Sequence, residues 1–223
     1  MATDGGEDAT DSRDDMMRAT YRALCANGFA NLTMQDIADE MGKSRTLLHY
    51  HYDTKGELLE AFLDRMIGWL RTRMAEEGPE HPVDRLVKFI EFFVIDPAEE
   101  SESFARALLE MRLQAIHNST FREKLTAHYQ ENVNVIAETI AAGIEDGYFA
   151  DIDAESAGES IYTAMLGART YQITLDAGPA TARMARQIWS ITMTLVLTEA
   201  ARDHLDSPSF DRSAYPTLFP DAE

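Results

Sequence analysis

The sequence predicts an all-α protein. Three observations carry this. Apolar residues recur at helical spacing along most of the chain. Glycine and proline fall between those runs and punctuate them. No segment shows the apolar–polar alternation of a half-buried strand.

The punctuation gives about nine helices. Residues 1–13 are rich in Asp, Glu, Gly, Thr and Ser, and read as a disordered acidic lead. Met17, Tyr21, Leu24 and Cys25 then share one face of a helix over 14–27, stopped by Gly28. Thr33 is a good N-cap, with Asp36 three residues on as a capping-box partner. Met34, Ile37, Ala38 and Met41 follow at i, i+3, i+4 and i+7, and Gly42 ends this second helix. Ser44 caps a third, reaching about Tyr50. Leu58, Leu59, Phe62, Leu63, Met66 and Leu70 stripe a fourth, from Thr54 to Glu77. Val83–Ile95, Phe104–His117 and Phe121–Glu145 make three more. Ala154–Asp176 and Ala180–Leu205 complete the set, split by Gly178-Pro179. The tail from Ser207 has no helical period. The expected domains are therefore 14–60, a three-helix head, and 61–206, a larger helical domain, with 207–223 irregular.

Composition bounds the setting. The chain has 223 residues, 45% of them hydrophobic, which suits one large domain or a small and a medium one. The net charge of −19 is unusual, and only four of the 20 basic residues are lysines: Lys43, Lys55, Lys88 and Lys124. Such a surface stays solvated in concentrated salt, so a salt-rich (halophilic) cytoplasm is expected. A merely acidic mesophilic protein is the alternative. Cys25 is the single cysteine, which rules out an intrachain disulfide. The acidic start lacks a signal peptide's basic and apolar regions. No run approaches the roughly 18 apolar residues of a membrane span. A soluble, cytoplasmic protein is expected, without membrane contact.

Three short helices with a tight Gly42 turn between the last two form a helix-turn-helix pattern. In that arrangement the second helix braces the third, whose N-terminal half enters the major groove. Ser44, Arg45 and Thr46 supply short polar side chains and donors there, and Leu48 faces the core. Lys43 to Lys55 carries three positive charges and one negative, Asp53, in a chain of net −19. Phosphate contact needs such local positivity.

The stretch Gly28-Phe29, Leu32 to Ala38, Gly42 to Arg45, Leu48 to Tyr52 and Lys55 to Leu59 strongly resembles the TetR family of regulators. The likeness covers roughly residues 14–60. It implies nine helices, a homodimer, a ligand site in helices four to eight, and dimerisation through helices eight and nine. The part around Leu108–Gly147 is similar to the subgroup that includes choline-responsive regulators. By the same resemblance Thr33 and Gln35 match positions that touch phosphate or a base. Ser44, Arg45 and Thr46 match the base-facing start of the recognition helix, Tyr50 an aromatic near the backbone, and Lys55 a phosphate-contacting lysine. Leu47 stands where the family often has Thr, and His49 where it often has Tyr. Leu47 can meet a thymine methyl. His49 can hold a phosphate, either protonated or through its neutral N–H.

Other chemistry finds little support. His49 and His51, two residues apart on a helix, point to different faces and share no ion easily, so no metal is expected. No phosphate-cradling Gly-rich loop, GxSxG or HExxH occurs. No catalytic residue and no cofactor is expected, and the chain reads as no enzyme. Phe62, Met66, Phe93, Met111, Tyr129, Tyr162 and Met165 are core or line an apolar ligand site, with Arg106 and Gln114 as polar groups beside it. Ala157, Ile161, Ala164 and Ala168 on helix eight, with Ile188, Ile191 and Leu195 on helix nine, suit a four-helix dimer interface. Internal core of a monomer is the alternative.

The expected function is a sequence-specific, DNA-binding transcriptional regulator. Its expected partners are double-stranded DNA with a palindromic operator, a second copy of itself, and a small apolar or amphipathic ligand that releases it. A ligand-binding or protein-interaction module of the same fold, no longer binding DNA, is the alternative.

Overall fold

The computed structural model describes residues 7–75, 80–94, 99–175 and 180–211. Ten helices make up the regular structure of these residues, with one isolated antiparallel bridge, Phe149 to Leu197. They are α1 (Glu7–Asn31), α2 (Met34–Met41), α3 (Arg45–His51), α4 (Lys55–Ala75) and α5 (Pro82–Val94). There follow α6 (Glu99–Gln114), α7 (Ser119–Glu145), α8 (Ala154–Thr174), α9 (Ala180–Leu195) and α10 (Glu199–Asp206). No described helix is long and apolar enough to cross a membrane.

Two expectations change. Helix α1 begins at Glu7, inside the stretch whose composition reads as a disordered lead. Acidic residues such as Glu7 and Asp8 suit a helix N-terminus, where the peptide dipoles present positive charge. The last expected helix is broken in two. Ala150 N–H donates to the Val196 carbonyl (2.8 Å), and Thr198 N–H donates to the Tyr148 carbonyl (3.0 Å). Thr198 then caps α10, its hydroxyl accepting from Ala201 N–H. Non-local bonds to the turn after α7 thus outweigh a helical period that runs straight through. Of the tail expected to be irregular, residues 207–211 carry no helix, and 212–223 lie outside the described residues.

The chain divides into two compact units. The first holds residues up to Thr72 and Glu99–Thr126, so it joins α6 to α1–α3. Its core contains Met16, Leu24, Leu32, Ile37, Leu48, Leu59, Leu63, Met111 and Phe121. Helix α2 buries Met34, Ile37 and Ala38, a spacing that puts them on one face. Gly28 interrupts α1 at φ 70, a conformation open to glycine at little cost. The next residue, Phe29, donates its N–H to the Glu110 carboxylate of α6 at 2.5 Å.

The second unit holds Arg73–Ala98 and the chain from Ala127. Val87, Ile90, Ile136, Ile140, Tyr162, Met165 and Trp189 lie in its core. Helices α7 and α8 approach closely at Gly158, where an added Cβ would lie 3.0 Å from the Val133 carbonyl oxygen. Helix α10 packs on this core through Ala201 and Leu205. Beside them His204 Nε2 lies 2.6 Å from Asp84 Oδ1, and its ring stacks on His81 at 3.7 Å with planes 6° apart.

Candidate nucleic-acid interface

The reading head is built by a turn and two caps. Thr33 and Asp36 form a full capping box: Asp36 N–H donates to the Thr33 hydroxyl (3.2 Å), and Thr33 N–H donates to the Asp36 carboxylate (2.8 Å). The Thr33 hydroxyl donates in turn to that carboxylate at 2.7 Å. These bonds hold the Asp36 carboxyl below the usual carboxylate range. Gly42, at φ 65, ends α2 with its N–H on the Ala38 and Asp39 carbonyls. The chain then turns directly into α3. Ser44 occupies the N-cap position, but its side chain makes no capping bond. Its exposed hydroxyl is therefore free of that role.

Helix α3 is held by one side. Leu48 is fully buried, while Ser44, Arg45, Thr46, His49 and Tyr50 are all exposed and Leu47 is half-buried. Tyr50 leaves 83% of its surface in water. Its ring meets His51 edge-on at 5.1 Å. Arg45 Nε donates to His49 Nε2 at 3.1 Å. No carboxylate lies on α3 itself.

The flanking residues are more engaged than the sequence suggests. Gln35 is exposed, and its amide donates to Asp39 at 2.7 Å. Lys55 opens α4 with its ammonium on the Leu32 carbonyl (2.8 Å) and over the Phe29 ring (5.6 Å). Arg22 of α1 pairs with Glu40 of α2 at 3.0 Å, bracing the two helices. The structure brings Ser44, Arg45, Thr46, His49 and Tyr50 together on exposed α3. Thr33 and Lys55 already serve the fold.

The other expected sites divide between the units. Phe62, Met66 and Met111 are buried in the first core, and Gln114 is half-buried, donating to the Glu110 carbonyl at 3.3 Å. Arg106 is exposed, because the buried side of α6 here runs through Ala107 and Met111. Tyr162 and Met165 are buried in the second core. Tyr129 is half-buried there, its hydroxyl 3.2 Å from Glu159 and Thr163. Phe93 lies in α5, but its side chain lies outside the described residues. On α8, Ile161 and Ala168 are buried within the chain itself and Ala157 is half-buried. Ala164, Ile191 and Leu195 are exposed, and Ile188 is half-buried.

Two family models match the chain. Residues 17–62 match that of bacterial regulatory proteins of the tetR family, and residues 82–197 match the C-terminal model of BetI-type transcriptional repressors. A TetR transcription regulator from Haloarcula marismortui superposes with a TM-score of 0.79 and is 34% identical, covering 84% of this chain and 99% of that one. The chain belongs to the TetR family. Another TetR-like fold, a transcriptional regulator from Saccharomonospora viridis in complex with choline, superposes equally well at a TM-score of 0.79. It is 22% identical, covering 85% of this chain and all of that one. The regulator TtgR of Pseudomonas putida is 35% identical over 60 residues, which span 27% of this chain and 29% of TtgR. TetR-family regulators carry an N-terminal helix-turn-helix and a C-terminal helical domain, and α1–α3 form that head here.

Proposed function

We propose that this TetR-family chain is a sequence-specific transcriptional repressor that leaves its operator when a small molecule binds the helical domain. The supporting observation is the exposed, carboxylate-free face of α3, braced from behind by buried Leu48. Polar donors at the start of a short helix suit base edges in the major groove. Two copies would present two such helices about 34–36 Å apart, one turn of DNA. The open side chains Ala164, Ile191 and Leu195 are the natural seam for the second copy. The ligand would be small and apolar or amphipathic, acting through unequal affinity for two states.

Selection of duplexes from a random pool tests this. The expected product is a palindrome with half-sites one turn apart. Arg45→Ala should relax the preference at one base pair per half-site by about 1–3 kcal/mol. A pool that emerges unenriched would instead support a module of this fold that no longer binds DNA. The departures from the family pattern at Leu47 and His49 and the net charge of −19 favour that second reading.

A further inference from the structure

We infer that His49 is a positioning residue for Arg45, and so helps set which base pair α3 accepts. The inference rests on the DNA-binding reading above. Arg45 and His49 are four residues apart, hence neighbours on one helical face, and both are exposed. The Arg45 Nε–H donates to His49 Nε2 at 3.1 Å. A ring nitrogen that accepts carries no proton, so this bond requires a neutral imidazole with its proton on Nδ1. In that arrangement Nε2 is no donor to a phosphate.

The consequence falls on the guanidinium. Arginine has five N–H donors in a fixed fork. With Nε–H engaged, the four Nη protons remain, and the pair at the far end points along the side chain. That end-on pair matches the O6 and N7 acceptors of a guanine in the major groove. A side-on approach through Nε and one Nη is blocked for as long as the bond holds. The bond also restricts a long side chain before DNA arrives, which lowers the ordering cost of docking. Since α3 carries no carboxylate of its own, none on that helix competes for the guanidinium. The residue that departs from the family's usual Tyr therefore tunes its neighbour.

The test uses the full-length protein and duplexes that it selects from a random pool. Affinity is measured for the selected duplex, for one altered at the base pair whose preference Arg45→Ala removes, and for an unrelated duplex. His49→Ala should shrink the selected-to-altered ratio by about 3–10-fold while leaving the unrelated duplex within about twofold. His49→Gln, whose amide oxygen can accept from Nε–H, should recover most of the ratio. An equal loss on all three duplexes would make His49 a backbone contact and overturn the inference. An unchanged ratio would overturn it too. Failure of the wild-type protein to select any sequence would remove the DNA-binding reading itself, and the inference with it. His49 is exposed, so neither substitution disturbs the core.

Discussion

Lys55 holds two neighbours at once. Its ammonium sits on the Leu32 carbonyl, at the entry to α2, and over the Phe29 ring at the end of α1. The sequence marks it as a phosphate contact, but it is first a clamp on the head that α3 depends on. An ammonium has three N–H donors, so one bond to Leu32 still leaves two for a phosphate. Lys55→Ala should therefore do two things. It should weaken binding to selected and unrelated duplexes alike, and it should cost roughly 1–2 kcal/mol of stability. Parallel melting and titration check this; lost affinity with unchanged Tm would show that the clamp carries no load. At this scale the sequence is legible where chemistry is local. The Thr33–Asp36 box and the Gly42 turn are written in adjacent residues. The Arg45–His49 bond is visible as a four-residue spacing but not as a role. The Phe29–Glu110 bond spans 81 residues, and no local pattern announces it.

Helix α10 shows what periodicity misses. The apolar run of the ninth expected helix continues through Val196 and Leu197 without a glycine or proline, so nothing local marks a break. The break is made by bonds to Tyr148 and Ala150, nearly fifty residues away in sequence. The contact that ties α10 to α5 is equally remote: His204 and Asp84 are 120 residues apart. His81, stacked on the His204 ring, should make this end of the second unit acid-sensitive. A ligand atom from each of His81, Asp84 and His204 lies within 4.8 Å of the others, so the three side chains form one tight polar cluster. Burial and then His204 push the His81 pKa down, against smaller upward pulls from Asp84 and Asp146. Its folded pKa thus lies below the ordinary 6.5, and the unfolded chain binds the extra proton more readily. The stabilisation is fully present above pH 6.5 and is lost as pH falls below it. Melting temperature should fall in that window, and His81→Phe should flatten that part of the profile. An identical profile for the variant would remove His81 from the account.

At the scale of the whole molecule, charge and apolar surface set the terms of association. Ile191 and Leu195, one turn apart on α9, leave 58% and 65% of their surfaces open. Leu195→Glu or Ile191→Glu should convert the dimer to monomer in sedimentation, while helix content by circular dichroism stays unchanged. A dimer that persists in both variants would move the seam elsewhere. A chain of net −19 also repels DNA over most of its surface, so few phosphates can be neutralised. Affinity for the selected duplex should therefore fall only gently with added KCl. A log–log slope as steep as about −10 would contradict this. The bond between Phe29 and Glu110 bears on how such regulators can be recombined. The two matched family segments end at residue 62 and begin at 82, which invites a cut between them. Yet α6 belongs to the same compact unit as the head and closes its core with Ala107, Met111 and Phe121. A chimera spliced at that gap would receive a foreign α6, and the new head would lose the carboxylate that grips its kink. The compact unit that holds the head is discontinuous: residues up to Thr72 together with Glu99–Thr126.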